Sequence, residues 1–297
     1  MNRLMAYSTL ALVAVSFGLF SFLLPAEDKG NPTTSLLWKI EKTGIKHPSY
    51  LFGTMHLIEK EYFYFPETLE KIVKKSDLLV MEIAGVSNQA EAMKYVVLNE
   101  GSFFDYFSKE QTDTILTWAK AKMGLDESTF RTTFSKFKPF IVIQTATQLQ
   151  FMGKTESYEL TFEKLATKYQ LKMAGLETIA DQMGIFDNLT KSQQAEMVMA
   201  GIRDEQKTNE MTRKMQQMYA RQRIDSLYSF IHAEGGVLAE EQNAFLDQRN
   251  RNWIPQIKEM VANGKAFIAV GAGHLGGENG VIRLLEKEGY KLTPVRF

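Results

Sequence analysis

The sequence predicts an α/β fold in which a mixed central sheet is flanked by helices. Three observations predict it. Short apolar runs of strand length alternate along the chain with segments of helical periodicity. A strand–helix–strand unit fits within about 35 residues near the start of the folded part, which is the size of a parallel crossover. The chain has 297 residues and no repeat array, so one mixed domain can bury a sizeable core.

The elements can be assigned in chain order from periodicity, glycine and proline. Residues 88–170 and 191–232 are mostly helical, and the helix near residue 255 is kinked or restarted at Pro255. The other predicted elements are a hairpin of LLWKIEK and SYLFGTMHL, a helix PETLEKIVKKSD that begins near Pro66, strands DLLVMEI and LKMAGLE, a helix NAFLDQRNRNWIPQIKEMVANG, a strand KAFIAVGAGHL, a helix GVIRLLEKEG and a strand YKLTPVRF.

The first residues predict export or membrane attachment. A positively charged start precedes an apolar stretch over residues 4–24, which is long enough to span a bilayer. Residues 1–26 therefore fit either a cleaved signal peptide or an uncleaved anchor. Residues 27–35 form a polar linker, and residues 36–297 form a single folded domain. We expect a periplasmic, extracellular or membrane-anchored protein, with membrane association through residues 4–24 as one outcome.

Charge and cysteine content exclude several classes of protein. The chain has 35 Lys and Arg against 35 Asp and Glu, so its formal net charge at pH 7 is zero. Nucleic-acid-binding proteins normally carry a basic excess. The chain has no cysteine, which excludes disulfides, thiolate metal sites and a cysteine nucleophile. We therefore expect a peptide or small-molecule substrate and no nucleic-acid partner.

Four predicted strands end in side chains that can bind metals or transfer protons. YLFGTMH ends in His56, LLVME in Glu82, KMAGLE in Glu177 and FIAVGAGH in His274. In open α/β sheets, ligands bind at the edge where the carboxyl ends of the strands lie. Two imidazoles and two carboxylates at this edge suit a divalent ion, and zinc, manganese and cobalt are all compatible with them.

The two histidines share a local motif. Gly53 to His56 and Gly271 to His274 both read G-x-x-H after an apolar run. A glycine three residues before the histidine lets the chain turn without a Cβ clash and directs the imidazole into the cleft. GAGHLG also reads as G-x-G-x-x-G, but the chain stops at Phe297, too early for the rest of a dinucleotide-binding unit. We therefore interpret the glycines as the turn that presents His274.

Several segments together resemble the TraB/GumN family: LFGTMHL, GLET followed by Gln182, DQRNRNW and VGAGHLGGENGVIRLLEKEGY. The resemblance covers Leu37 to Phe297. The family includes the pheromone-shutdown proteins and the Tiki proteins, which are described as metal-dependent proteases. The resemblance implies an α/β core related to the erythromycin-esterase and ChaN-like proteins.

The same resemblance implies which residues form the site. The family has a helical Arg-Asn pair, and this sequence has two in succession, Arg249-Asn250 and Arg251-Asn252. The two pairs point about 100° or more apart around the helix, and their spacing alone does not show which pair faces the site. The family's motif residues correspond to His56 and His274 for the two histidines, Glu177 for the GLE glutamate, Glu82 for the strand-end glutamate, and Arg249 and Asn250 for the helical pair.

We predict a metal-dependent hydrolase that acts on a peptide. A divalent ion with an open coordination position lowers the pKa of its water and polarises the substrate carbonyl. Glu159 and Asp187 lie near the GLE segment and are candidates for supporting the site from outside it. The predicted roles are metal ligand for His56, Glu177 and His274, general base or fourth ligand for Glu82, and oxyanion stabilisation for Arg249 and Asn250.

Two other functions fit the same sequence. In one, no metal is bound, and His56 or His274 acts as general base of an esterase-like hydrolase after polarisation by a glutamate. In the other, the protein is not an enzyme and binds a peptide signal against methionine-rich helices. Three methionines on one helical face suggest such a surface, although a stripe of this kind is more typical of core packing: Met211, Met215 and Met218.

Overall fold

The computed structural model describes residues 34–85, 89–233 and 239–296, and within them the chain forms two compact units. The first unit comprises residues 89–155 and 179–210, and the second comprises the remaining described residues. The predicted signal peptide or anchor, residues 1–26, and most of the predicted linker lie outside the described residues. A single domain over residues 36–297 stays a prediction.

The described residues contain eight strands and twelve α-helices. The strands are β1 (Leu37–Glu41), β2 (Ser49–Thr54), β3 (Ile58–Glu59), β4 (Leu78–Met81), β5 (Thr155–Glu156), β6 (Lys172–Gly175), β7 (Ala266–Gly271) and β8 (Lys291–Val295). The helices are α1 (Glu67–Lys74), α2 (Gln89–Val96), α3 (Lys109–Met123), α4 (Glu127–Phe134), α5 (Phe140–Phe151), α6 (Tyr158–Tyr169), α7 (Ile179–Asp187), α8 (Lys191–Arg203), α9 (Glu205–Ala220), α10 (Ile224–Ala233), α11 (Ala239–Asn263) and α12 (Val281–Lys287).

The second unit is built on a six-stranded mixed sheet, which confirms the predicted fold class. The strand order is β6-β4-β7-β2-β1-β8. β2, β4, β6 and β7 run parallel to one another, whereas β1 pairs antiparallel with both β2 and β8. The predicted β1–β2 hairpin and the strand–helix–strand unit are both present. The relation to erythromycin-esterase and ChaN-like proteins stays a prediction.

The central strand β7 is buried almost along its whole length. Residues 266–270 are all buried, because helices cover both faces of a parallel sheet and favour a continuous apolar run over an alternating one. β7 lies between β2 and β4, so the two strands of the early crossover are not neighbours. The chain must therefore return at residue 266, after α11, to complete the centre of the sheet between two strands that end at residues 54 and 81.

Helices α6 and α11 each bury an apolar face, and both also carry polar residues of the site described below. Phe162 on α6 packs against Phe52 and Phe267 on the strands, with ring centroids 5.7 and 5.1 Å apart. On α11, Trp253 and Ile257 are fully buried. α11 continues through Pro255 rather than restarting there.

The first unit consists mainly of helices joined by short turns. α3 begins at a capping box formed by Ser108 and Gln111, and the left-handed Gly124 caps its carboxyl end. Phe103 and Phe130 are fully buried in the interior of this first unit. None of the helices in the described ranges combines the length and apolar character needed to cross a bilayer.

Candidate active site

Four adjacent parallel strands present the four predicted strand-end residues in one row. Along the order β6-β4-β7-β2, they are Glu177, Glu82, His274 and His56. Each follows the last residue of its strand by one to three positions. Since the carboxyl ends of parallel strands meet at one edge, the expected convergence of these side chains is observed.

Three of these groups surround Gly271, the last residue of β7. A Cβ atom built on Gly271 would lie 3.2 Å from Glu82 Oε1, 3.6 Å from His274 Cδ2 and 3.7 Å from His56 Nε2. The backbone nitrogen of Gly271 also donates to Glu82 Oε1 at 2.7 Å. A side chain here would crowd Glu82 and the two imidazoles, so the close approach of these groups favours glycine.

Arg249 holds the two predicted carboxylates together. Its Nε donates to Glu177 Oε2 at 2.9 Å, and its Nη2 donates to Glu177 Oε1 at 2.6 Å and to Glu82 Oε2 at 2.5 Å. Trp253 Nε1 donates to Glu177 Oε2 at 3.1 Å. A planar guanidinium can bind one carboxylate through two nitrogens and still reach a second, which a lysine cannot do.

This arrangement keeps Glu82 ionised inside the protein. Burial is the largest influence and by itself raises the pKa of Glu82, but Arg249, the nearby imidazoles and the backbone N–H of Gly271 together outweigh it and lower the pKa to about 2. Burial likewise disfavours the charged form of Arg249, and the two carboxylates more than compensate, so the pKa of Arg249 is raised. The opposite charges thus stabilise one another where water cannot solvate them.

His56 is paired with Glu159 on α6. Its Nδ1 lies 2.8 Å from Glu159 Oε1, and both side chains are largely buried. Burial is the largest influence and lowers the pKa of His56, but the charge and hydrogen bond of Glu159, together with the charge of Glu82, outweigh it and raise the pKa to about 9. Glu159 therefore fixes the ring through Nδ1 and leaves Nε2 on the side of Gly271 and Glu82.

His274 is held in one orientation by Asn250. Asn250 is fully buried; its Nδ2 donates to the carbonyl oxygen of Asn279 at 2.8 Å, and its Oδ1 lies 2.6 Å from His274 Nδ1. An amide oxygen only accepts hydrogen bonds, so Nδ1 must carry the ring hydrogen. Burial lowers the pKa of His274 to about 3. The ring is therefore neutral at pH 7, with an unprotonated Nε2 that lies 3.6 Å from Glu82 Oε1.

The structure distinguishes the two Arg-Asn pairs of α11. Arg249 and Asn250 lie in the site, whereas Arg251 and Asn252 are exposed. The first pair therefore belongs to the site, as the family pattern implies. The hydrogen bonds of Asn250 favour an orienting role, and its predicted oxyanion role stays a prediction.

Sequence reasoning left Glu159 and Trp253 outside the site. Glu159 falls on the same helical face as the buried Phe162 and Ala166, at positions i, i+3 and i+7. A carboxylate on an apolar stripe needs a buried partner, and this signal was available. Asp187, the other candidate, lies in the first unit, where Lys138 binds it.

The donor chemistry fits a divalent ion at three of the groups. His56 and His274 each use Nδ1 for a carboxylate or amide oxygen, the usual arrangement of metal-binding histidines, and Glu82 supplies a carboxylate oxygen beside both rings. Both oxygens of each glutamate accept hydrogen bonds, but only Glu82 is seen to lie beside the imidazoles, so the ligand role of Glu177 stays a prediction. Within the part of the chain that the structure describes, no three His, Asp or Glu side chains form a ready-made metal-binding group.

Comparison with protein-family models places this site within a known family. The TraB/PrgY/gumN family model matches residues 36–294. Comparisons with curated proteins and with solved structures give no significant match. The matched range includes every residue of the site described above.

Proposed function

The chain belongs to the TraB/PrgY/gumN family, and from this premise we propose that it is a metal-dependent hydrolase that cleaves a peptide bond. His56, Glu82 and His274 would hold the divalent ion. When bound there, the ion supplies an activated water and polarises the substrate carbonyl. Zinc, manganese and cobalt are all compatible with two imidazoles and one carboxylate.

One observation supports the proposal more than any other. The unprotonated Nε2 of His274 and the ionised Oε1 of Glu82 lie 3.6 Å apart. Both atoms are electron-pair donors that lie at the same place, as two ligands of one cation would. His56 Nε2 lies beside the same point, as its distance to the Cβ position of Gly271 indicates.

The other residues of the site prepare these donors. Arg249 keeps Glu82 ionised and orients Glu177 next to it. Glu159 and Asn250 hold the two imidazoles so that both Nε2 atoms lie on the side of Glu82. His56 must lose its proton before it can act as a ligand, and Glu159 then still accepts the hydrogen on Nδ1.

The metal-free alternative is weaker on chemical grounds. A general base works best when its pKa is near the operating pH. His274 has a pKa lowered to about 3, and the pKa of His56 is raised to about 9, so neither is matched to neutral pH as a free base. The same features suit a ligand pair, since a bound cation replaces the proton.

The test is elemental analysis of the full-length chain after incubation with zinc, manganese or cobalt. The wild type and a His47→Ala control, which removes an exposed histidine, should bind about one ion per chain, and a His56→Ala/His274→Ala double variant should bind none. A peptide library should then be cleaved in a chelator-sensitive way. If the wild type and the double variant fold but carry equally little metal, the proposal fails.

A further inference from the structure

Asn279 connects the loop that follows His274 to helix α11. Its backbone carbonyl accepts a hydrogen bond from Asn250 Nδ2 at 2.8 Å, and its side-chain amide donates to Asp247 Oδ2 at 2.7 Å. Asp247 and Asn250 are three positions apart on α11 and therefore lie on one face of the helix. One helix face thus binds Asn279 through both its backbone and its side chain.

The loop that presents Asn279 is tightly constrained by α10. Gly277 has a φ of 75°, and a Cβ atom at this position would lie 2.2 Å from the ring of Tyr228. The backbone nitrogen of Gly277 donates to Asp225 Oδ1 at 3.3 Å. Glycine in the segment GGENG, residues 276–280, is therefore explained by close packing against α10. The glycines before His274 are explained by the turn that presents the imidazole.

The carbonyl of Asn279 decides which way the Asn250 amide faces. With Nδ2 directed at this carbonyl, Oδ1 must face His274 Nδ1, which then donates. If the amide turned over, its NH₂ group would face Nδ1, and Nδ1 would have to accept. The single hydrogen of the neutral ring would then lie on Nε2, on the side of Glu82.

We propose that Asp247 and Asn279 are positioning residues that keep the ring hydrogen of His274 on Nδ1 by fixing the Asn250 amide. Asp247 holds the Asn279 side chain, Asn279 holds the amide of Asn250 through its carbonyl, and Asn250 selects the tautomer. The three contacts measure 2.7, 2.8 and 2.6 Å in that order. This series of three contacts joins the half-buried Asp247 to the buried His274.

Asp247 also interacts with α10. Its Oδ1 lies 3.9 Å from His232 Nε2. Burial and then the nearby charge of Asp247 raise the pKa of Tyr228 on the same helix. Replacing Asp247 therefore disturbs more than Asn279. Asn279→Ala removes only the side-chain amide and leaves the backbone carbonyl in the chain, and Asp247→Asn retains an oxygen that can accept from Asn279.

One consequence for ligand binding rests on the proposed function. A ring that carries its hydrogen on Nε2 cannot donate an electron pair to a cation from that atom. Loss of the contacts that Asp247 and Asn279 make should therefore reduce zinc affinity by about 10- to 100-fold. This is the usual effect of removing a group that orients a metal-binding histidine.

The test is nitrogen NMR of the metal-free, full-length chain labelled with ¹⁵N-histidine. The chain has four histidines, and the signals of His274 are those lost in His274→Ala. In the wild type, in Asp247→Asn and in the control Asn252→Ala, His274 should be protonated on Nδ1 alone. Asn252 makes an amide contact on an exposed face of the same helix. In Asp247→Ala and Asn279→Ala, a substantial fraction should be protonated on Nε2.

Wild-type tautomers in folded Asp247→Ala and Asn279→Ala would overturn the inference. If Asp247→Ala does not fold, Asn279→Ala decides alone. A zinc titration separates this failure from failure of the proposed function. A wild type that binds no zinc contradicts the function, whereas equal zinc affinity in the wild type and in both variants, with unchanged tautomers, contradicts only the positioning role.

Discussion

Arg249 allows two carboxylates, Glu82 and Glu177, to lie side by side in a buried place. We expect Arg249→Ala to lower the free energy of unfolding by about 3–5 kcal/mol, because removing one partner of a buried ion pair leaves uncompensated charge. Arg249→Lys should recover only part of the loss, since an ammonium cannot bind Glu177 through two nitrogens. Urea unfolding monitored by circular dichroism measures both effects.

The same helix supplies the control for this prediction. Arg251 is exposed, and its Nη2 donates to Gln248 in the same helix at 3.3 Å. Arg251→Ala should change the free energy of unfolding by no more than about 0.5 kcal/mol. Equal stability of the two alanine variants would show that Arg249 does not hold the carboxylates together.

Glu159 gives a second prediction at the level of single residues, and it depends on the proposed metal site. Glu159→Gln replaces the carboxylate that faces His56 Nδ1 by an amide, so the ring is less firmly oriented and less basic. Zinc affinity, measured by competition with a chelator, should fall by about 10- to 100-fold. Glu163→Gln, one turn later on α6, should leave it unchanged; a similar loss in both variants would contradict the role of Glu159.

At the level of elements, the sequence is sufficient to place the strands and most helices. β4 and β7 are recognisable because a strand covered on both faces is apolar throughout, and α3 because it ends at Gly124. The continuity of α11 through Pro255 was not predictable. A proline removes one backbone hydrogen bond, and whether the helix continues depends on the packing of its buried face, which includes Trp253.

The turn after β7 provides a test at this scale. Gly271→Ala places a methyl group 3.2 Å from Glu82 Oε1 and between the imidazoles, so we expect a loss of about 1–3 kcal/mol in the free energy of unfolding. Gly184 in α7 has open space at its Cβ position, and Gly184→Ala should be neutral or stabilising. Denaturant unfolding of the two variants compares them, and equal effects would contradict the close approach at Gly271.

At the scale of the whole molecule, the meeting of His56 and His274 follows from one rule about parallel sheets. Residues far apart in the chain share a site when their strands are neighbours and run the same way, and β2 pairs parallel with β7. That convergence could be predicted from the sequence. The neutralisation of Glu177 by Arg249 could not, because it depends on the rotation of α11 about its axis, and the repeated letters of residues 249–252 left that rotation open.

The last prediction concerns the stability that a bound metal gives to the four parallel strands. A ligand at 100 times its dissociation constant stabilises the folded state by about 2.7 kcal/mol. If the proposed function is right, backbone amides of β7 that exchange only when the second unit unfolds should exchange about 100-fold more slowly with zinc at that concentration. Helix α3 belongs to the first unit, carries none of the site residues named above and serves as the internal reference. Hydrogen exchange measured by mass spectrometry should show the slowing in the wild type and in His47→Ala but not in His56→Ala/His274→Ala. Equal slowing in the double variant would mean that zinc acts away from the carboxyl edge of the sheet.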